Sequence, residues 1–147
     1  EEIAQSVVRR DGVPVASIRP PWIQYPVDYP CRDEGYTSNL EAGAGNYWSY
    51  VDVRDVVGLV KAALAGTKDG SAEGHEAFNC TGPDNALGRE LTELMQEFYG
   101  SFPENCSVEG DASAYSVTKA EELLGWTPEH SWREAADEDV DEPELTV

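Results

Sequence analysis

Three short runs rich in β-branched and aromatic residues, 13–18, 47–51 and 76–80, are separated by stretches whose apolar residues recur at helical spacing. Few folds satisfy that alternation. Strands separated by helices join most simply as a parallel sheet, because a parallel pair needs a long crossover and a helix fills it. The run 13–18 has the continuous apolar character of a strand buried on both faces.

The intervening segments carry their own start and stop signals. Ile3, Ala4, Val7 and Val8 fall at helical spacing and stop before Asp11-Gly12. Asp52 and Asp55 supply carboxylates for the start of a helix whose expected apolar face is Val53, Val56, Val57, Val60 and Leu64, with Gly66 as its end. Leu87, Leu91, Leu94, Met95 and Phe98 mark a further helix closed by Gly100. Ser116 caps a shorter helix carrying Leu123 and Leu124, and Ser131 with Glu134 forms a capping-box pair. Residues 25–46, rich in Pro, Gly, Asp and Asn, read as a long loop, and loops of that length in a compact domain are usually functional. Residues 1–136 are expected to form one unit, and 137–147 an acidic, disordered tail with almost nothing to bury.

Charge narrows the partners. Twenty-nine acidic residues against ten basic ones give a net charge of −19, and the acids are spread along the whole chain. Lys61, Lys68 and Lys119 are the only lysines. Such a surface repels itself until salt screens it, as in a salt-saturated cytoplasm; an ordinary acidic protein from a mesophile is the alternative. Nucleic acid is disfavoured on either reading, since phosphate neutralisation needs clustered Lys and Arg. Cys31, Cys80 and Cys106 are far apart, without zinc spacing, and His75 and His130 stand away from them, so no metal is expected. No run of apolar residues is long enough for a membrane helix, and a cytoplasmic location is expected.

Several segments, in order, carry a family likeness. Val13-Pro14-Val15-Ala16-Ser17-Ile18-Arg19-Pro20-Pro21-Trp22-Ile23-Gln24-Tyr25-Pro26 is followed by Tyr50-Val51-Asp52-Val53-Arg54-Asp55-Val56, then Lys119-Ala120 and Leu124-Gly125-Trp126-Thr127-Pro128. Together these resemble the carboxyl-terminal half of the NAD-dependent epimerase/dehydratase family, the extended short-chain dehydrogenases. The resemblance implies α/β architecture: the last strands of a Rossmann-type sheet plus a small substrate-binding lobe. It also implies NAD or NADP as cofactor of a parent enzyme, a small-molecule sugar as substrate, and a homodimer packed through the opening helix with Ile3, Val7 and Val8.

The same resemblance assigns residues. The backbone after the Arg-Pro step passes beside the nicotinamide in the family, which makes Pro20, Pro21, Trp22 and Ile23 the cofactor-side candidates. Gln24, Tyr25, Asn39, Trp48 and Asn79 are the candidates for reading sugar hydroxyls. The family's catalytic Tyr and Lys sit four residues apart on the helix preceding this strand, and Glu1 or Glu2 falls one turn after that Lys; no Tyr-x-x-x-Lys pair is expected in this chain, so no catalytic residue is assigned. No Gly-x-x-Gly-x-x-Gly turn is present, and Gly43-Ala44-Gly45 reads as loop flexibility. The chain by itself is therefore expected not to bind a dinucleotide tightly or transfer hydride. Arginines that clamp a nucleotide-sugar diphosphate in the family are replaced here by Trp48 and Val108, which favours a free aldose or a sugar acid. Lys119 reads as a surface residue on a structural helix. A nucleotide-sugar epimerase, a non-catalytic binding module and an independent acidic interaction domain are the competing readings.

Overall fold

The computed structural model describes residues 1–70 and 72–140. Helix α1 (Glu2–Asp11) leads into strand β1 (Val15–Arg19), and after Pro20-Pro21 the chain resumes as β2 (Trp22–Gln24). A 3-10 turn at Pro30–Arg32 and the short helices α2 (Glu34–Thr37) and α3 (Leu40–Ala44) precede β3 (Tyr50–Asp52). Helix α4 (Val53–Asp69), β4 (His75–Asn79), α5 (Leu91–Tyr99), α6 (Thr118–Leu124) and α7 (Trp132–Ala135) complete the order. The fold is α/β with parallel strands, as the alternation of runs predicts.

The strands form two parallel pairs. β1 lies beside β4, with Arg19 in register with Asn79, and β2 lies beside β3, with Trp22 in register with Tyr50. Strand β2 is legible only in retrospect. Pro-Pro reads as a terminus because proline removes a ladder donor, but the chain crosses those two residues and pairs again.

Local differences from the sequence reading have physical causes. The expected strand at 47–51 begins only at Tyr50, because Tyr47 and Trp48 take left-handed φ values of 54° and 55°, outside the strand region. β1 is half-buried rather than buried on both faces, since β4 flanks one side and no described strand flanks the other. α4 turns Asp55, Leu59, Ala63 and Gly66 inward; of the expected apolar face, Val56 packs against the core while Val57, Val60 and Leu64 are exposed. Gly66 is interior, and the helix runs on to a left-handed cap at Gly70, φ 86°. One mid-helix glycine costs about 1 kcal/mol, too little to end a packed helix. Gly58 lies against the indole of Trp126, where a Cβ would come within 3.2 Å of Nε1.

Two cores result. One gathers Tyr29, Tyr36, Trp48, Tyr50, Leu91 and Leu94 around the lobe. The other packs Val51, Leu59, Phe78, Cys80 and Trp126 between α4, α6 and the strands. Burial pushes the Cys31 and Cys80 thiols up to about 12, which leaves them poor nucleophiles. Within the expected tail, residues 137–140 lack regular structure but Glu138 pairs with Arg54 at 2.6 Å; residues 141–147 lie outside the described residues. No helix among the described residues is long and apolar enough to cross a membrane.

Candidate functional site

Parallel pairing brings the carboxyl ends of β1 and β4 to the same edge, the edge at which open parallel sheets usually bind ligands. A cavity of about 380 Å³ opens there. Arg19, Pro20 and Pro21 line it from the end of β1, Asn79 and Thr81 from the end of β4, Asn46 from the turn before β3, and Tyr115 from the segment before α6. Ligand pockets run from roughly 300 to 1,000 Å³, so this one suits a single polar ring.

Three of the residues singled out from sequence, Pro20, Pro21 and Asn79, meet in this cavity. The other six do not line it. Trp22 packs on Tyr36 with ring centroids 5.0 Å apart, and Ile23 packs against the Val51 and Leu59 core. Tyr25 is 53% exposed in a reverse turn with Asp28, and Asn39 caps α3 by accepting from the Glu41 N–H at 3.1 Å. Gln24 and Trp48 are corrected to core residues, because neither has exposed surface with which to touch a ligand. Gln24 accepts from the Cys31 N–H at 3.0 Å, and the Trp48 indole donates to the Leu40 carbonyl at 2.9 Å. Asn46, Thr81 and Tyr115 were not singled out; each sits in a loop that only tertiary packing brings to the strand ends.

The site's polarity follows from how its groups are already engaged. Arg19 forks onto Glu1, Nε to Oε1 and Nη2 to Oε2 at 2.6 Å each, and this contact holds the Glu1 carboxyl below its usual range. Asn46 donates its amide N–H to the Ser49 carbonyl at 2.9 Å, while its Oδ1 is buried without a partner. Behind it, the Thr81 hydroxyl sits 2.8 Å from that of Ser113, which is 3.2 Å from that of Ser49. Burial raises the Tyr115 pKa, keeping its phenol a neutral hydroxyl.

A Tyr-x-x-x-Lys spacing does occur in the sequence, at Tyr115 and Lys119, away from the helix where the family places it. Lys119 pairs with Glu76 at 2.5 Å and lies over the Phe78 ring, 5.3 Å from its centroid. A proton-transfer Tyr needs a lowered pKa, the opposite of the shift at Tyr115. The hydrogen-bonding groups of the lining come from Arg19, Asn46, Asn79, Thr81 and Tyr115.

A dinucleotide fits this lining only in part. The ring-sized space and amide groups suit a nicotinamide or sugar, but a diphosphate needs several free donors or cations, and Arg19, the lining's one cation, is already paired. Three arginines outside the lining are engaged too. Arg54 lies between Asp52 and Glu138, Arg133 between Asp84 and Asp111, and Arg32 donates to the Ala86 carbonyl with its guanidinium 3.5 Å above the Trp132 ring.

The chain matches no protein-family model and no curated protein. Among solved structures it is similar to one described as the crystal structure of UDP-galactose 4-epimerase, with 24% sequence identity and a TM-score of 0.53. The match covers 92% of this chain and 47% of that one, so the chain spans about half the length of the structure it matches. At this identity the likeness establishes the fold: these residues adopt the α/β, Rossmann-like architecture of part of an epimerase.

Proposed function

We propose that this chain forms the substrate-side part of an NAD(P)-dependent, epimerase/dehydratase-like oxidoreductase, and that it binds a sugar or sugar derivative in the cavity at the carboxyl ends of β1 and β4. One observation carries the reading: Pro20-Pro21 and Asn79 meet at the sheet edge where this architecture takes its ligands. The likeness to an enzyme that acts on UDP-galactose supports the sugar class. Against a nucleotide-sugar diphosphate stand the buried Trp48 and the arginines already paired with the chain's own carboxylates.

Within this reading NAD or NADP supplies the hydride acceptor, and Pro20 and Pro21 wall the side of the site that faces it. The dinucleotide is held mainly by residues outside this chain, which has no glycine turn and no Tyr-x-x-x-Lys pair on the helix before β1. The protein works as a homodimer through α1, none of whose side chains is buried and whose Ile3 is 82% exposed. Calorimetric titration of NAD into the chain tests the division of labour. Binding no tighter than millimolar is expected, and micromolar binding would contradict it.

A further inference from the structure

We propose that the outer side of α5, together with Phe102 beyond its end, docks a segment of a protein partner in which bulky apolar and basic side chains lie close together. The chain has three phenylalanines. Phe78 is in the core, but Phe98 and Phe102 are 39% and 43% exposed, and Tyr99 between them is 45% exposed. Large aromatic side chains gathered at one place on a surface mark an interaction site, because each leaves a wide apolar area in water.

The fold holds these rings in place. α5 buries Leu91 and Leu94 and ends at Gly100 in a left-handed cap, φ 74°. Phe98 meets the buried Trp48 edge-on, with centroids 6.2 Å apart, and packs on Tyr99 at 4.9 Å. The Tyr99 hydroxyl donates to the Ala44 carbonyl. Rings fixed in this way lose little further freedom when a partner covers them. Phe102 lines two grooves. One, of about 360 Å³, is shared with Tyr47, Met95 and Tyr99; the other, of about 380 Å³, carries Glu93 and Glu97.

Charge identifies the occupant. Residues 90–118 hold Glu90, Glu93, Glu97, Glu104, Glu109 and Asp111 but no Lys or Arg. The cations that reach these carboxylates, Arg89 to Glu97 at 2.6 Å and Arg133 to Asp111, come from outside the segment. The Arg89–Glu97 pair is exposed, so an incoming cation can exchange for it at little cost. An apolar side chain of the partner fills the groove between Tyr99 and Phe102, while an adjacent Arg or Lys meets Glu93 and Glu97 and stacks on the Phe102 ring. A second copy of this chain is the wrong occupant, since it sets carboxylates against carboxylates.

The test is a proton–nitrogen NMR titration of the full chain with an acetylated, amidated pentapeptide of alternating Leu and Arg, and with counterparts carrying Ser or Glu in place of Arg. Molar KCl shortens screening to about 3 Å, which suppresses diffuse attraction to the acidic surface and leaves contact pairs. The Arg peptide should shift the amides of residues 92–103 along one saturation curve. The Ser peptide should bind about tenfold more weakly, the ratio for a cation lost from a ring and its carboxylates, and the Glu peptide should not bind. Phe102→Ser should weaken the Arg peptide by about tenfold, as truncation of an aromatic anchor does. Should that variant fail to fold, Glu93→Gln tests the same face, and it should weaken the Arg peptide while leaving the Ser peptide unchanged. Equal binding of the Arg and Ser peptides, shifts scattered over the whole surface, or no binding of the Arg peptide would overturn the proposal. So would shifts of residues 92–103 on dilution of the chain alone, which would assign the face to a second copy.

Discussion

Asp55, in the first turn of α4, holds His130 twice across 75 residues of chain: Oδ2 accepts the His130 backbone N–H at 3.1 Å, and Oδ1 accepts from the ring Nδ1 at 2.8 Å. The same carboxylate takes the Glu129 N–H at 3.0 Å. Its sequence position suggests a cap, but Asp52 fills that role by accepting from the Arg54 N–H at 2.8 Å. Asp55, 3% exposed, instead fastens the segment that leads into α7 against α4.

Removing this fastening should be costly. Asp55→Ala leaves three N–H donors without their acceptor and should lower unfolding free energy by about 3 kcal/mol, whereas Asp55→Asn keeps an acceptor and should cost about half as much. Urea midpoints in high salt measure both. A midpoint for Asp55→Ala equal to that of the unsubstituted chain would show that the contact contributes nothing.

Gly43 is fixed by space rather than by φ. A Cβ there would lie 2.5 Å from Trp48 Cδ1 and closer still to the Tyr36 hydroxyl, inside the aromatic core of the lobe. Gly43→Ala should therefore cost about 1 to 3 kcal/mol through overpacking, with a changed near-ultraviolet circular dichroism signal from Trp48. An unchanged melting temperature would mean that the lobe yields at this point.

Acid should loosen the start of α4. Burial by itself would raise the Asp52 pKa, but hydrogen bonds from Arg54 and Tyr29 outweigh it, and the carboxyl ends below its usual value. A depressed folded-state pKa contributes stability that is present above the unfolded value of about 4 and lost as pH falls through the folded one. Unfolding free energy should fall below pH 4, and less steeply in Asp52→Asn, as followed by urea titrations from pH 6 to 2.5. Identical acid slopes in the two proteins would remove Asp52 from the account.

What was legible in the sequence was what short-range chemistry specifies. Arg19-Pro20-Pro21 marks the exit of β1 because proline cannot donate to a ladder, and Asn79 closes β4 before the turn at Gly82-Pro83. Both reach the cavity for that reason. Asn46, Thr81 and Tyr115 were missed because each is an ordinary loop residue until parallel pairing and lobe packing bring 19, 46, 79 and 115 together. Trp48 misled in the opposite way: the resemblance puts it where the family has a diphosphate-clamping arginine, yet the left-handed turn at 47–48 drives it into the core. On α4, counting valines found only part of the packed face: Val56 packs on the core, but close packing against Trp126 and the strands also takes Gly58, Leu59 and Ala63, while Val57, Val60 and Leu64 stay exposed.

Salt dependence follows from the net charge of −19. The screening length shrinks from about 10 Å at 0.1 M to about 3 Å at 1 M, so self-repulsion should fade and the melting temperature climb steadily with KCl. A melting temperature that does not respond between dilute and molar KCl would contradict adaptation to a salt-rich interior.

The most direct test of the central claim is a proton–nitrogen NMR titration of the chain with a free hexose. Backbone amides of Arg19, Asn46, Asn79, Thr81 and Tyr115, with the side-chain amides of Asn46 and Asn79, should shift together along one saturation curve. The amides of Gln24, Asn39 and Trp48 should stay in place. Shifts that cluster anywhere other than the ends of β1 and β4, or no shifts at all, would contradict the assignment of this cavity as the sugar site.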